Sequence, residues 1–61
     1  MPDFIIIVGR DRSTVNAESV AGRRFLRKLF ATSDDSLTIS SEFVNEIEKQ
    51  LTDEGYYVTI R

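Results

Sequence analysis

At 61 residues, with eight basic and ten acidic side chains and 41% hydrophobic residues, the chain is expected to form one small domain. So short a chain buries only about 60% of the surface it exposes when unfolded, which puts it near the lower limit for folding alone. It contains neither cysteine nor histidine, which excludes disulfides, removes the strongest transition-metal ligands and takes away the usual catalytic bases and nucleophiles, so oligomerisation is the stabilising device that remains. The net charge of −2 hides a segregated chain: Arg10, Arg12, Arg23, Arg24, Arg27 and Lys28 crowd the first half, and Asp34, Asp35, Glu42, Glu46, Glu48, Asp53 and Glu54 the second.

Taken in chain order, Phe4-Ile5-Ile6-Ile7-Val8 is apolar throughout and mostly β-branched, the pattern of a central strand covered on both faces. It is far too short to span a bilayer, and neither a basic leader nor a cleavage site accompanies it, so a soluble protein is expected. The polar stretch from Gly9 to Asn16 is expected to be a loop. Asn16 then serves as helix N-cap, Val15 and Val20 form a hydrophobic staple, and Glu18 sits in the first turn. From Ala17 to Ala31 the apolar residues Ala21, Gly22, Phe25, Leu26, Leu29 and Phe30 share one helical face. Gly22 costs that helix about 1 kcal/mol against alanine, which predicts close approach to a neighbouring backbone.

Thr32 to Ser36 breaks the period as a loop, and Leu37-Thr38-Ile39 alternates like a short strand. Ser40 is the next expected N-cap, with Ile39 and Val44 as staple and Phe43, Val44, Ile47 and Leu51 as the second helical stripe. Gly55 predicts a left-handed stop that brings Tyr56 back onto Leu51 in a Schellman arrangement. Tyr56, Val58 and Ile60 then alternate with Tyr57, Thr59 and Arg61 in a last strand. The order β-α-β-α-β predicts an α+β or small α/β domain, two helices on a sheet of two or three strands. If residues 37–39 are a loop instead, a two-stranded sheet needs a partner sheet.

Three surfaces carry functional expectations. Arg10, Arg12, Ser13 and Thr14, in a long loop before a helix, form a candidate anion site, although neither phosphate-binding glycine motif is present. Arg23, Arg24, Arg27 and Lys28 form a basic helix face suited to a nucleic-acid backbone or an acidic protein, or simply to solvent. Tyr57 and Thr59, with Ile5 and Ile7, mark a less covered sheet face that a symmetric partner would bury. The acidic residues lack calcium-loop spacing, and no catalytic residue, metal or cofactor is assigned.

From Ala21 to Val58 the succession of a Phe25-Leu26 helix, an apolar triplet, Phe43-Val44, Ile47, Leu51, Gly55 and Val58 resembles short open reading frames of undefined activity in phage and prophage genomes. The resemblance implies a phage-encoded or bacterial accessory protein and transfers no functional residues. The expectation is a non-enzymatic, cytoplasmic, homodimeric protein that regulates by binding another protein. Nucleic-acid binding through the basic helix is the alternative, and phosphate binding after the first strand a distant third.

Overall fold

The computed structural model describes residues 1–31 and 34–61. Four strands form a mixed sheet: β1 (Phe4–Ile7), β2 (Arg12–Ala17), β3 (Ser36–Ser40) and β4 (Val58–Ile60). Two helices, α1 (Val20–Phe30) and α2 (Val44–Asp53), the second preceded by a 3₁₀ turn at Ser41–Phe43, complete an α+β fold. The spatial order is β3-β2-β1-β4, antiparallel except where β1 meets β4 in parallel. Among the described residues no helix is long and apolar enough to cross a membrane.

One apolar cluster joins Phe4, Ile6, Val15 and Ala17 from the sheet with Leu26 of α1 and Val44 and Leu51 of α2. Register explains the sheet contribution. Phe4 pairs with Ala17 and Val58, and Ile6 with Val15 and Ile60, so these residues share a face, and both helices pack on it. Tyr56, two residues before β4, closes the cluster, its ring edge-on to Phe4 at 5.5 Å and tilted against Phe25 at 4.9 Å. Such aromatic pairs contribute about 0.5–1.5 kcal/mol beyond area burial.

Three expectations are corrected. The first is the loop of residues 9–16: only Gly9, Arg10 and Asp11 form a turn, and β2 begins at Arg12, giving the order β-β-α-β-α-β. Here Ser13, Val15 and Ala17 are buried while Arg12, Thr14 and Asn16 face the other way. The alternation is genuine, but a serine and an alanine occupy two of its three inward positions. The second is the start of α1. Asn16 lies in β2 opposite Ile5, and the cap is Ser19, whose Oγ accepts the Gly22 N–H at 2.9 Å. No Val15–Val20 staple forms, since Val15 lies in the core and Val20 is 64% exposed. The third is the cover of β1, which is central as expected but buried on one face only: Ile5 is half-buried and Ile7 is 51% exposed.

Residues 37–39 lie in a strand, although it pairs with β2 and not with β1. The second helix matches its expectation in part: Val44, Ile47 and Leu51 reach the core, whereas Ser40 precedes the 3₁₀ turn without making a side-chain capping bond and Phe43, expected in the buried stripe, is 47% exposed. The two glycine expectations stand. At Gly55, φ is +91°. The Gly55 N–H donates to Thr52 O at 3.0 Å and the Tyr56 N–H to Leu51 O at 3.1 Å, the paired bonds of a Schellman stop. Gly22 meets the expected backbone: a β-carbon there would lie 2.7 Å from the Asp3 carbonyl oxygen. In the loop expected after α1, Thr32 and Ser33 lie outside the described residues.

Candidate functional site

The four residues of the expected anion site do not converge. Ser13 is buried on the helix-facing side, where its Oγ accepts the Gly9 N–H at 3.2 Å and lies 2.7 Å from Ser41 Oγ. Ser41 in turn donates to the Gly9 carbonyl at 2.8 Å, so this hydroxyl pair ties the β1–β2 turn to the 3₁₀ turn. Thr14 belongs to the opposite face, paired with Ile7 and Thr38. Arg10 and Arg12 are exposed, but the turn that holds them leads into a strand and therefore borrows no positive helix end.

That helix end is occupied elsewhere. Besides capping Gly22, Ser19 Oγ donates to Asp3 Oδ1 at 2.6 Å, and the Tyr57 N–H donates to Asp3 Oδ2 at 2.9 Å. The Asp3 carbonyl also accepts the N–H groups of Glu18 and Ser19, at 2.8 and 3.4 Å. Asp3 therefore fastens the segment before β1 both to the entrance of α1 and to the start of β4. The hydrogen bond from Ser19, followed by that from the Tyr57 backbone, holds its carboxyl below the ordinary carboxylate value. Sequence reasoning missed this node because its members are separated by 16 and 54 positions. The local signal for Ser19 was present: it stands three residues before Gly22, where the buried stripe of α1 begins.

The basic helix face is partly neutralised. Arg27 Nη2 donates to Asp35 Oδ1 at 2.7 Å, and Arg23 Nε lies 3.5 Å from Asp35 Oδ2. All three side chains are about half exposed, so each pair contributes roughly 0–1 kcal/mol. Arg24 and Lys28 are exposed on the same helix.

Among the described residues, neither helix packs over the sheet face opposite Phe4 and Ile6. Its inner row is Ile5 opposite Asn16 and Thr59, with Ile7 opposite Thr14. Its outer positions are Ser36, Thr38 and Ser40 on β3, with Arg12 beside Ser40. Tyr57, one residue before β4 and 76% exposed, extends the face at one end. Arg61 follows β4 at the other, held in the ladder by its N–H to Ile6 O at 2.9 Å and by the Val8 N–H to its own carbonyl at 3.0 Å. Within the strands this face carries no acidic residue. Asp3, just ahead of β1, has both carboxylate oxygens engaged. Tyr57 and Thr59 thus lie on the face expected for them, together with Ile5 and Ile7. Comparison with protein-family models, with curated proteins and with solved structures finds no match to this chain.

Proposed function

We propose that this protein is a small accessory module that acts by binding another protein, and that the bare face of its sheet is the binding surface. The observation carrying this reading is the one-sided cover of the sheet: both helices pack over Phe4 and Ile6, while Ile7 and Tyr57 remain in solvent on the other side. A sheet face with aliphatic residues at its centre and an exposed tyrosine at its edge has the make-up of an interface core, where a few aromatic and arginine side chains carry most of the energy. Arg12 and Arg61, with no acid in the strands to oppose them, select the partner's chemistry. It is a protein surface with an apolar patch edged by carboxylates.

Nucleic acid fits this face less well. Single strands bind to open sheets by stacking bases on aromatic rings within a positive groove, whereas here one tyrosine stands beside two isoleucines and the chain is acidic overall. On α1, Asp35 already engages two of the four cations of the alternative site.

The test compares three immobilised baits, the parent, an Ile7→Lys, Tyr57→Ala variant and an Arg24→Glu, Lys28→Glu variant, against nuclease-treated and untreated bacterial lysate. Calorimetry on the purified captured protein follows. Capture in both lysates that survives the helix changes, with Kd raised at least tenfold by the sheet changes, supports the reading. Capture lost with nuclease, or abolished by the helix changes and indifferent to the sheet changes, overturns it and moves the site to α1.

A further inference from the structure

We infer that β3 pairs with the β3 of a second copy about a two-fold axis midway between the two copies of Thr38, joining two four-stranded sheets into one of eight. This rests on the sheet edge and is independent of the binding proposed for the bare face.

Hydrogen bonding defines what the edge offers. The Ala17 N–H donates to Asp35 O at 2.8 Å and the Ser41 N–H to Asp11 O at 3.0 Å. With Val15 opposite Leu37 and Ser13 opposite Ile39, the alternation of an antiparallel ladder directs the backbone groups of residues 35, 37, 39 and 41 toward β2. The N–H and C=O groups of Ser36, Thr38 and Ser40 therefore point outward along the free edge. Within β3, Ser36–Ser40, the described residues carry no charge, no proline and an unbroken one-to-one register with β2, so three of the usual devices against edge pairing are missing there. The opposite edge, β4, offers only three residues.

The sequence of the edge identifies the occupant. Ser36-Leu37-Thr38-Ile39-Ser40 is symmetric in residue type about Thr38. An antiparallel two-fold pairing centred there sets Thr38 against Thr38, Ser36 against Ser40 and Leu37 against Ile39, and forms about six backbone hydrogen bonds. Hydroxyls then meet hydroxyls on the bare face. On the helix side, Leu37 and Ile39, each only half-buried in the single chain, meet aliphatic partners that complete their cover. A two-fold interface must be self-complementary in this way, with each surface patch meeting its own copy. The bare faces become continuous across the axis, and the dimer presents two copies of the proposed binding surface side by side.

Sedimentation equilibrium from sub-micromolar to high micromolar concentration reads the assembly directly, the monomer being 7.0 kDa. The parent is expected to dimerise across this range. Thr38→Pro removes an outward N–H that no strand of its own chain uses, a place where an edge strand tolerates proline, and is expected to raise the dimer Kd at least a hundredfold. Thr38→Cys provides a readout that does not depend on how that variant folds. Paired residues across the axis have Cα atoms about 5.5 Å apart, within disulfide range, so mild oxidation gives a covalent dimer, whereas Thr59→Cys gives far less. A parent that stays monomeric throughout, an unchanged Kd in folded Thr38→Pro, or equal cross-linking at positions 38 and 59 overturns the inference. The Ile7→Lys, Tyr57→Ala variant should still dimerise, which separates failure here from failure of the binding proposal.

Discussion

Gly22→Ala sets helix propensity against tertiary contact. In an exposed helix interior, alanine in place of glycine gains about 1 kcal/mol. At position 22 the new β-carbon would stand 2.7 Å from the Asp3 carbonyl oxygen, 3.1 Å from Ser19 Oγ and 3.3 Å from Phe4 Cζ. A flexible side chain cannot relieve the first contact, because the obstacle is backbone. The same carbonyl accepts the Glu18 N–H at 2.8 Å, and Ser19 Oγ caps α1. Moving either group weakens hydrogen bonds worth about 0.5–1.5 kcal/mol each. Overpacking a filled site adds about 1–3 kcal/mol. After the propensity gain is deducted, the variant is expected to be about 1–3 kcal/mol less stable than the parent. In a domain of this size each kcal/mol lowers Tm by about 4–8 °C. The assay is urea unfolding followed by circular dichroism, with an unchanged slope confirming that the native state is still compact. Ala21→Gly, at an exposed neighbour, serves as control and should lose only the propensity term of about 1 kcal/mol. A Gly22→Ala midpoint above that of the parent would refute the reasoning, since α1 would then not press on the segment before β1.

Two further predictions concern the hydroxyl and carboxylate nodes. Ser13→Ala removes the buried oxygen that accepts from Gly9 and meets Ser41 and is expected to cost about 1–2 kcal/mol in urea unfolding; a loss below a few tenths would mean that the two turns hold together without it. Asp3 has a carboxyl held below its ordinary value of 3.8 by Ser19 and the Tyr57 N–H. Its contribution to stability is therefore complete above that value and is lost as pH falls through it toward the lower folded-state value. Urea midpoints measured from about pH 6 to about pH 2 should show Asp3→Asn below the parent at neutral pH, with the gap closing in acid; parallel curves would remove Asp3 as a source of acid sensitivity.

Some of these relations were legible in the sequence and some were not, for physical reasons that differ by residue. The stop at Gly55 and the close approach at Gly22 follow from glycine chemistry, which is local, and both appear as expected. The helical stripes are similarly local: Leu26 and Leu51 lie where a period of 3.6 puts them. β2 escaped because its inward positions are filled by Ser13, Val15 and Ala17, small residues whose alternation carries little hydrophobic contrast. The serine is affordable there only because Gly9 and Ser41, neither of them a sequence neighbour, satisfy its hydroxyl. Without hydrophobic contrast in β2, the hydroxyls and arginines around it read as a ligand loop and Asn16 reads as a cap, three residues ahead of Ser19. The surface holding Tyr57, Thr59, Ile5 and Ile7 was legible because alternation survives in β4, whereas its lack of cover was masked in β1 by isoleucine at three consecutive positions.

That run of isoleucines bears on why one face is bare. A strand apolar on both sides needs two layers of cover, and a chain with two helices can supply both only if the helices fall on opposite faces. Here both return to the Phe4 and Ile6 side, so the charge segregated along the sequence is concentrated in the helical layer, basic on α1 and acidic on α2. The sheet face keeps isoleucine, threonine and tyrosine with two arginines toward one end. The helical layer therefore meets water and its own countercharges, while the sheet face offers Ile5, Ile7 and Tyr57 as apolar surface whose burial is favourable. Desolvating strand hydroxyls and aliphatic carbon costs less than desolvating the ion pairs of Arg23, Arg27 and Asp35. For this reason a partner is expected on the sheet side even though most of the formal charge, and with it the long-range field, lies on the other.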